Sequence, residues 1–538
     1  MMSTVADDAS HDADTCYRRA LAEQAANNIE AALVWLEQAI DHDPEYAKAY
    51  AALGEIYQQK NDLAEADYCF GMALRYCPDS VEILHKLARN CLVQGDRPEA
   101  LAILKEAKDR HLDSGALLSQ LALIYDDLDE IDLAICTWED VIALNPLDAS
   151  AHNNLGLQWH YGKGDVDRAM ACFRRALELN PGLAEARFNL CQAMADAGEV
   201  EEALAGFEAM LAEPFRDEVM FHRSVVLLKN RRFEEGWRDY HLRWRYRGTQ
   251  NRNFPFPPWD GQSCAGKTLL VYGEQGLGDE IMFSSCIKDV QEKSGARVVM
   301  ECNIRLESLF RRSFPDVTVI GAPRAQSGLE CLADGAPMDF QVAIGDLPSL
   351  FRAEEASFPR HHGYLKADPE RVAFWRNRLA ALGDGSKIGI SWRGGQGKTR
   401  REARSIPLSE WLPILATEGA HFISLQYTDC REELKALWDD HGVRVYHWQE
   451  AIDDYDETAA LVMALDRVVS VCTAIVHLTG ALGRPAWVLV PRVPEWRYLA
   501  SGEIMPWYPS VRLFRQPRMG DWTPVLHDVA RQLSTGKP

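Results

Sequence analysis

The chain is short of several things, and each shortage removes a class of function. Its first residues, Met-Met-Ser-Thr-Val-Ala-Asp-Asp, are acidic and lead into no apolar core, so no secretory signal is expected. No apolar run approaches the ~18–20 residues of a membrane span. Positive charge is scarce: 58 Lys plus Arg face 80 Asp plus Glu, a formal net charge of -22. Such a surface repels phosphate backbones, which argues against nucleic acid and anionic membranes as bulk partners. The 13 cysteines form no Cys-x-x-Cys pair and sit mostly in apolar patterns, so they read as reduced, buried thiols. No His-Glu-x-x-His and no paired His/Asp cluster offers a metal cage, so no metal and no cofactor is expected. The expected location is cytoplasmic.

What is present is ordinary globular material, 47% hydrophobic, 26% charged and 9% aromatic over 538 residues, enough for about three or four folding units. A period dominates the first half. Pro44 and Pro78 lie 34 apart, Leu112 and Pro146 continue the interval, and Pro181 arrives one residue late. Between the first two run Tyr50, Leu53, Gly54, Tyr57, Ala66, Phe70 and Ala73, the helix-turn-helix pattern of a tetratricopeptide repeat. The pattern returns around Leu121, Gly156 and Leu190, giving six repeats from about 13 to 215 and a partial seventh after Asp217. Small residues let paired helices approach, and stacking builds a superhelix whose concave face suits an extended protein segment. Bracing an oligomer or the rest of the chain is the plainer alternative.

A tetratricopeptide superhelix is therefore expected over 13–246. The proline-dense Phe254-Pro-Phe-Pro-Pro-Trp259 cannot be helix interior and marks a linker over 247–266. Beyond it, short β-branched runs alternate with helices. Thr268–Tyr272, Arg297–Met300, Val317–Ile320 and Gln341–Ile344 form one group of expected strands, and Lys387–Ser391, His421–Leu425, Arg467–Val471 and Ala486–Val490 a second. Strands separated by helices imply parallel sheets, here two doubly wound lobes over 267–368 and 369–538 with a cleft between them.

Three motifs sit at expected strand ends. In GEQGLGD, Gly273 to Asp279, a strand runs through a glycine turn into a helix, which presents backbone amides to the cleft. The spacing is GxxGxG, not the dinucleotide GxGxxG. Asp279 reads as a helix cap or as a catalytic carboxylate. Gly394-Gly-Gln-Gly-Lys-Thr399 imitates a P-loop, but the first glycine would fall on Trp392 and no apolar helix follows. What remains is Arg393 at a strand end, with Lys398, Arg400, Arg401 and Arg404 behind it, either a diphosphate clamp or an exposed basic loop. The third motif, Cys472-Thr-Ala-Ile-Val-His477, opens a helix with small residues, and His477 is either a packed histidine or a site residue. Asp454-Tyr-Asp456 mimics a metal-binding DxD, though a loop acid before a helix is the simpler reading.

These motifs in this order behind the repeats resemble a bacterial family of tetratricopeptide-repeat glycosyltransferases whose catalytic half is similar to the heptosyltransferases. GEQGLGD and HLTGALGRPAWVL (477–489) carry the likeness, and the architecture is similar to that of protein O-GlcNAc transferases and flagellin glycosyltransferases. The resemblance implies an α-solenoid followed by an α/β GT-B fold of two Rossmann-like lobes, the acceptor at the first lobe and a nucleotide-sugar at the second, with no catalytic metal. It implies that Asp279 is the general base. Gly276, Gly278, Arg393, Lys398, Gln426, Thr473, Ala474 and His477 would hold the nucleotide-sugar. The chain departs from the family in having Cys472-Thr473 where Asp-Thr is common. The expected activity is inverting transfer of a sugar to a protein hydroxyl, with the repeats recruiting the acceptor, flagellin first among candidates. A non-catalytic repeat adaptor and a glycan-elongating transferase are the rival readings.

Overall fold

The computed structural model describes residues 12–110, 114–212, 216–245, 252, 254–323, 338–394 and 404–535. The chain divides into two compact units, Met1–Gly162 with Asp167–Arg187, and Lys163–Val166 with Phe188–Pro538.

Among the described residues the first half is built of helices and the turns between them. Its helices are α1 (Ala13–Ala25), α2 (Ile29–His42), α3 (Ala47–Gln59), α4 (Leu63–Tyr76), α5 (Val81–Gln94), α6 (Arg97–Asp109), α7 (Gly115–Asp127), α8 (Ile131–Leu144), α9 (Ala149–Leu157), α10 (Val166–Leu179), α11 (Ala184–Ala197), α12 (Val200–Ala209), α13 (Arg216–Lys229) and α14 (Phe233–Tyr240). The repeat period recurs in the caps: Asp62, Ser80, Asp96, Ser114 and Asp148 each accept a backbone N–H three residues on. Within a repeat the small positions are filled by the partner helix. A Cβ on Gly54 would lie 2.6 Å from the Phe70 ring, and one on Gly156 would lie 2.6 Å from Phe173. The late Pro181 also has its explanation here. Gly156 and Ala169 are 13 apart where Gly54 and Ala66 are 12 apart, and the extra residue is absorbed as a π-helical turn over Gln158–Gly162.

The division within the repeats differs from the expected boundary at 246, and packing explains it. Leu228, Phe233, Trp237 and Tyr240 of α13 and α14 share one core with the α/β region that follows. The proline-rich segment is likewise no free linker. Phe254 and Trp259 are buried, and the Trp259 N–H donates to Gln341 O at 2.8 Å while Gln341 N donates to Pro257 O at 3.0 Å. Its aromatic side chains are worth burying, and prolines tolerate a sheet edge.

Among the described residues eleven strands follow: β1 (Thr268–Tyr272), β2 (Arg297–Asn303), β3 (Thr318–Ala322), β4 (Phe340–Ala343), β5 (Ser386–Ser391), β6 (Ala420–Ser424), β7 (Val445–Tyr446), β8 (Arg467–Val471), β9 (Ala486–Val490), β10 (Ile504–Met505) and β11 (Tyr508–Arg515). Between and after them run α15 (Leu277–Phe283), α16 (Ile287–Ser294), α17 (Glu307–Ser313), α18 (Leu347–Phe351), α19 (Pro369–Ala380), α20 (Leu412–Leu415), α21 (Arg431–His441), α22 (Gln449–Asp453), α23 (Tyr455–Ala464), α24 (Ala474–Ala481) and α25 (Thr523–Ser534). They make two sheets, ordered β3-β2-β1-β4 and β10-β11-β9-β8-β5-β6-β7. Every pairing is parallel except β10 with β11. The second sheet exceeds the expected four strands by β7, β10 and β11.

Twelve cysteines are free among the described residues, and Cys77 and Cys136 are exposed, a correction to the expectation of buried thiols. Both lie on repeat helices or at their ends, where only one face packs. Among the described residues no helix is long and apolar enough to cross a membrane.

Candidate functional site

Strand order selects the places where a ligand can enter. In the first sheet the chain goes from β1 outward to β2 and β3, then returns to place β4 on the other side of β1. In the second it goes from β5 to β6 and β7, then returns to place β8 beside β5. In open parallel sheets the crevice outside the strand carboxyl ends at such a reversal is the natural binding place. The motif loops lie there: Gly273–Gly276 follows β1, Trp392–Gly394 follows β5, and Cys472–Thr473 follows β8.

The first loop stands on buried charge. Glu301, 1% exposed, accepts from Arg252 at 2.6 Å and from the Gly273 N–H at 3.2 Å. Glu280 accepts the Asn303 N–H at 2.8 Å. Glu274 accepts from Arg243 at 2.9 Å, and Arg243 also donates to Asp346 at 2.5 Å in the loop after β4. A buried Glu274 carboxyl is raised above its usual pKa by desolvation, with Arg243 pulling it back. Against this network lies a cavity of about 220 Å³ lined in part by Trp237, Tyr240, Gly345 and Asp346.

Gly276 caps α15, and the Asp279 carboxylate accepts its N–H at 3.2 Å, so capping is part of what Asp279 does. The other carboxylate oxygen accepts from Arg497 Nε at 2.7 Å. Arg497 follows β9 and donates to Glu495 at 3.0 Å, and Arg404 donates to the same carboxylate at 2.5 Å. The helices of the first and third motifs therefore meet. A Cβ on Gly278 would come within 2.9 Å of the His477 ring and 3.4 Å of Ala474 Cα. Gly394 is equally close to the loop after β8, its absent Cβ lying 2.9 Å from Cys472 O.

The remaining residues divide. Thr473 caps α24 and shares a 3.2 Å hydrogen bond with the Ser470 hydroxyl. His477 is buried and bonds the Tyr508 hydroxyl at 3.2 Å, and desolvation together with Arg497 lowers its pKa to about 3. It is a packed, neutral imidazole at the junction of α15 and α24. Gln426 is fully buried, and its amide is spent on the β5 loop: Oε1 accepts the Trp392 and Arg393 N–H groups at 3.2 and 3.1 Å, and Nε2 donates to Arg393 O at 3.1 Å. It braces the loop and presents no free group to a ligand. The Arg393 side chain turns to Asp429 O at 2.8 Å and to Glu433 at 2.7 Å. Lys398, Arg400 and Arg401 lie outside the described residues. The Cys472 thiol is buried 3.8 Å from Leu489 O, with desolvation raising its pKa to about 12. Asp454 caps α23 by accepting Asp456 N at 2.8 Å, while Asp456 receives both arms of Arg312 at 2.8 and 2.6 Å.

Sequence reasoning missed Arg497 and Glu495, which carry no glycine motif and follow the irregular Arg492-Val-Pro. The available signal was position: they come directly after a buried apolar strand in a doubly wound sheet.

Comparison with known proteins agrees with the helical half. Tetratricopeptide repeat models match residues 17–69 and 160–220. Among solved structures, the tetratricopeptide protein YrrB, described with an unusual peptide-binding site, is 22% identical with a TM-score of 0.29, covering 33% of this chain and 92% of its own. The peroxisomal targeting signal receptor of Saccharomyces cerevisiae is 24% identical over 35% of this chain and 37% of its own length. Protein FlbA of Caulobacter vibrioides extends much further, with 32% identity over 513 residues, 92% of this chain and 85% of its own. Spanning the repeats and both sheets together, that likeness shows that the chain belongs to the FlbA family.

Proposed function

We propose that this chain is an inverting glycosyltransferase of GT-B type that moves a sugar from a nucleotide-sugar to a protein side-chain hydroxyl. The supporting observation is the meeting of the two strand-order reversals: α15 packs on α24, and Asp279 from the first sheet is bonded to Arg497 from the second. A donor at the β5/β8 reversal and an acceptor at the β1/β4 reversal would face one another across Asp279. In the reaction the acceptor oxygen bonds to the anomeric carbon as that carbon's bond to the phosphate oxygen breaks. The electron pair leaves with the nucleotide diphosphate, and the hydroxyl proton passes to the Asp279 carboxylate. A positioned base of this kind contributes about 10²–10⁴ in rate. The reading asks for no catalytic metal, since Asp454 and Asp456 are engaged by a helix cap and by Arg312, and turnover is expected to survive EDTA.

The repeats supply the protein-binding surface, and flagellin is the first acceptor to try on the resemblance to flagellin glycosyltransferases. The test is the intact mass of flagellin made in cells with and without this chain. A loss of sugar-sized mass increments without it, restored by the wild type and not by Asp279→Asn, supports the reading. A second reading, a repeat adaptor on an inactive α/β platform, draws on the Asp279 carboxylate being already bonded to Arg497. Unchanged masses, with flagellin still captured by the purified chain, would favour the adaptor.

A further inference from the structure

Four charged side chains from three separate segments form one row at the meeting of the sheets. Arg404 donates to Glu495 Oε1 at 2.5 Å, Arg497 donates to Glu495 Oε2 at 3.0 Å, and Arg497 Nε donates to Asp279 Oδ1 at 2.7 Å. The charges alternate and cancel. Three of the four are largely shielded from water, the Arg404, Arg497 and Asp279 side chains being 11%, 15% and 16% exposed, while Glu495 reaches solvent at 36%. The Arg497 guanidinium also stacks over Trp496 at 4.9 Å. Burial works against its charge, and the Asp279 and Glu495 carboxylates more than offset that, raising its pKa above the ordinary arginine value.

Two features of this row concern ligand binding. Both arginines lie beside the β5/β8 reversal, Arg404 in the segment after β5 and Arg497 in the segment after β9, which adjoins β8. Their forks match phosphate oxygens as well as carboxylates. A shielded guanidinium needs an anion, and exchanging one anion for another costs far less than leaving the cation bare. Asp279, in turn, has one carboxylate oxygen on the Gly276 N–H and the other on Arg497, so both are engaged while that pair holds.

We propose that Asp279 and Glu495 hold Arg497 until a nucleotide diphosphate binds, so that donor binding draws Arg497 onto phosphate and releases Asp279 to act on the acceptor. Arg497 is then a positioning residue that makes the base available only when the donor is in place, and donor binding precedes productive acceptor binding. This inference rests on the transferase reading.

Calorimetry on the full chain tests it, with inorganic pyrophosphate, UDP, GDP, dTDP and ADP as probes. Removing the competing carboxylate in Asp279→Asn is expected to tighten the best probe about tenfold, an effect opposite in sign to ordinary damage at a site. The asparagine keeps an oxygen for the Gly276 N–H, so the cap survives. Arg497→Gln is expected to weaken the same probe at least about tenfold, and the double variant to bind as weakly as Arg497→Gln alone. If Arg497→Gln does not fold, Arg497→Lys replaces it, with an affinity expected between wild type and loss. An Asp279→Asn affinity equal to wild type, or a gain that persists without Arg497, overturns the exchange and leaves the transferase reading standing. If no probe binds either wild type or Asp279→Asn at millimolar concentration, the transferase reading itself falls.

Discussion

Burial against an arginine fixes the charge state of His477, and the consequence appears in the acid limb of stability. Its pKa is lowered from 6.5 to about 3 by desolvation and by Arg497. Below pH 6.5 the unfolded chain takes up a proton that the folded one refuses, so stability is complete above that pH and falls as pH drops toward 3. The slope from this one group is at most about 1.4 kcal/mol per pH unit. His477→Gln should flatten the fall of melting temperature between pH 6.5 and 4. An unchanged pH profile would mean that the imidazole titrates normally. The same residue marks a limit of reading sequence: helical position could not tell a packed histidine from a ligand-binding one. Nor could it reveal that Gln426 braces backbone, because both facts depend on segments far away in the chain. Asp279 was legible only as a choice between cap and base, and the side chain is bonded on both sides.

At the scale of elements, the loops after β5 and β8 are held at backbone contact by the absence of one side chain. A Cβ on Gly394 would meet Cys472 O at 2.9 Å and Thr473 Cγ2 at 2.7 Å, and the carbonyl cannot turn away as a side chain could. Gly394→Ala should therefore push the two strand ends apart, cost about 1–3 kcal/mol of stability and, on the transferase reading, weaken nucleotide binding more than the melting temperature suggests. Thermal melts and calorimetry on the same sample check both parts. Most strands were visible in the sequence because a parallel strand covered on both faces reads as an unbroken apolar run, as in Leu269–Tyr272 or Ala486–Val490. β11 was not. Pro509, Arg512 and Arg515 interrupt its apolar pattern, since its residues are only partly buried, and no α-helix separates it from β9. The π-helical turn at Gln158–Gly162 left a trace in the sequence, one extra residue in the repeat, whose form no periodicity could give.

For the whole molecule, the part that folds around the sheets begins inside the repeats. Trp237 of α14 is 3% exposed, donates its indole N–H to Arg352 O at 2.9 Å and meets Tyr240, Trp496 and Trp507. Trp237→Ala should cost about 3–5 kcal/mol. A fragment over 184–538 keeps α13 and α14 and is expected to melt cooperatively. One over 246–538 loses Phe233, Trp237 and Tyr240 from its core and is expected to aggregate, which gel filtration would show. Equal behaviour of the two fragments would remove α13 and α14 from the folding unit. The composition change at the prolines made 246 look like a boundary, because apolar packing between a repeat helix and a distant sheet leaves no local mark.

That aromatic contact also gives the protein an optical signature of its own. The indole rings of Trp237, Trp496 and Trp507 lie 5.4 to 6.5 Å apart at steep mutual angles. Rings so near and so fixed couple their transitions and contribute to the near-ultraviolet circular dichroism, as the second close pair, Trp375 and Trp448 at 5.4 Å, also does. Since Arg497 stacks on Trp496, anything that draws the guanidinium away changes the field on one member of the coupled set. Titrating the full chain with a nucleotide while following that signal would, on the transferase reading, report the state of the Asp279–Arg497 pair without a label, and loss of the nucleotide-dependent change in Trp496→Phe would identify the source.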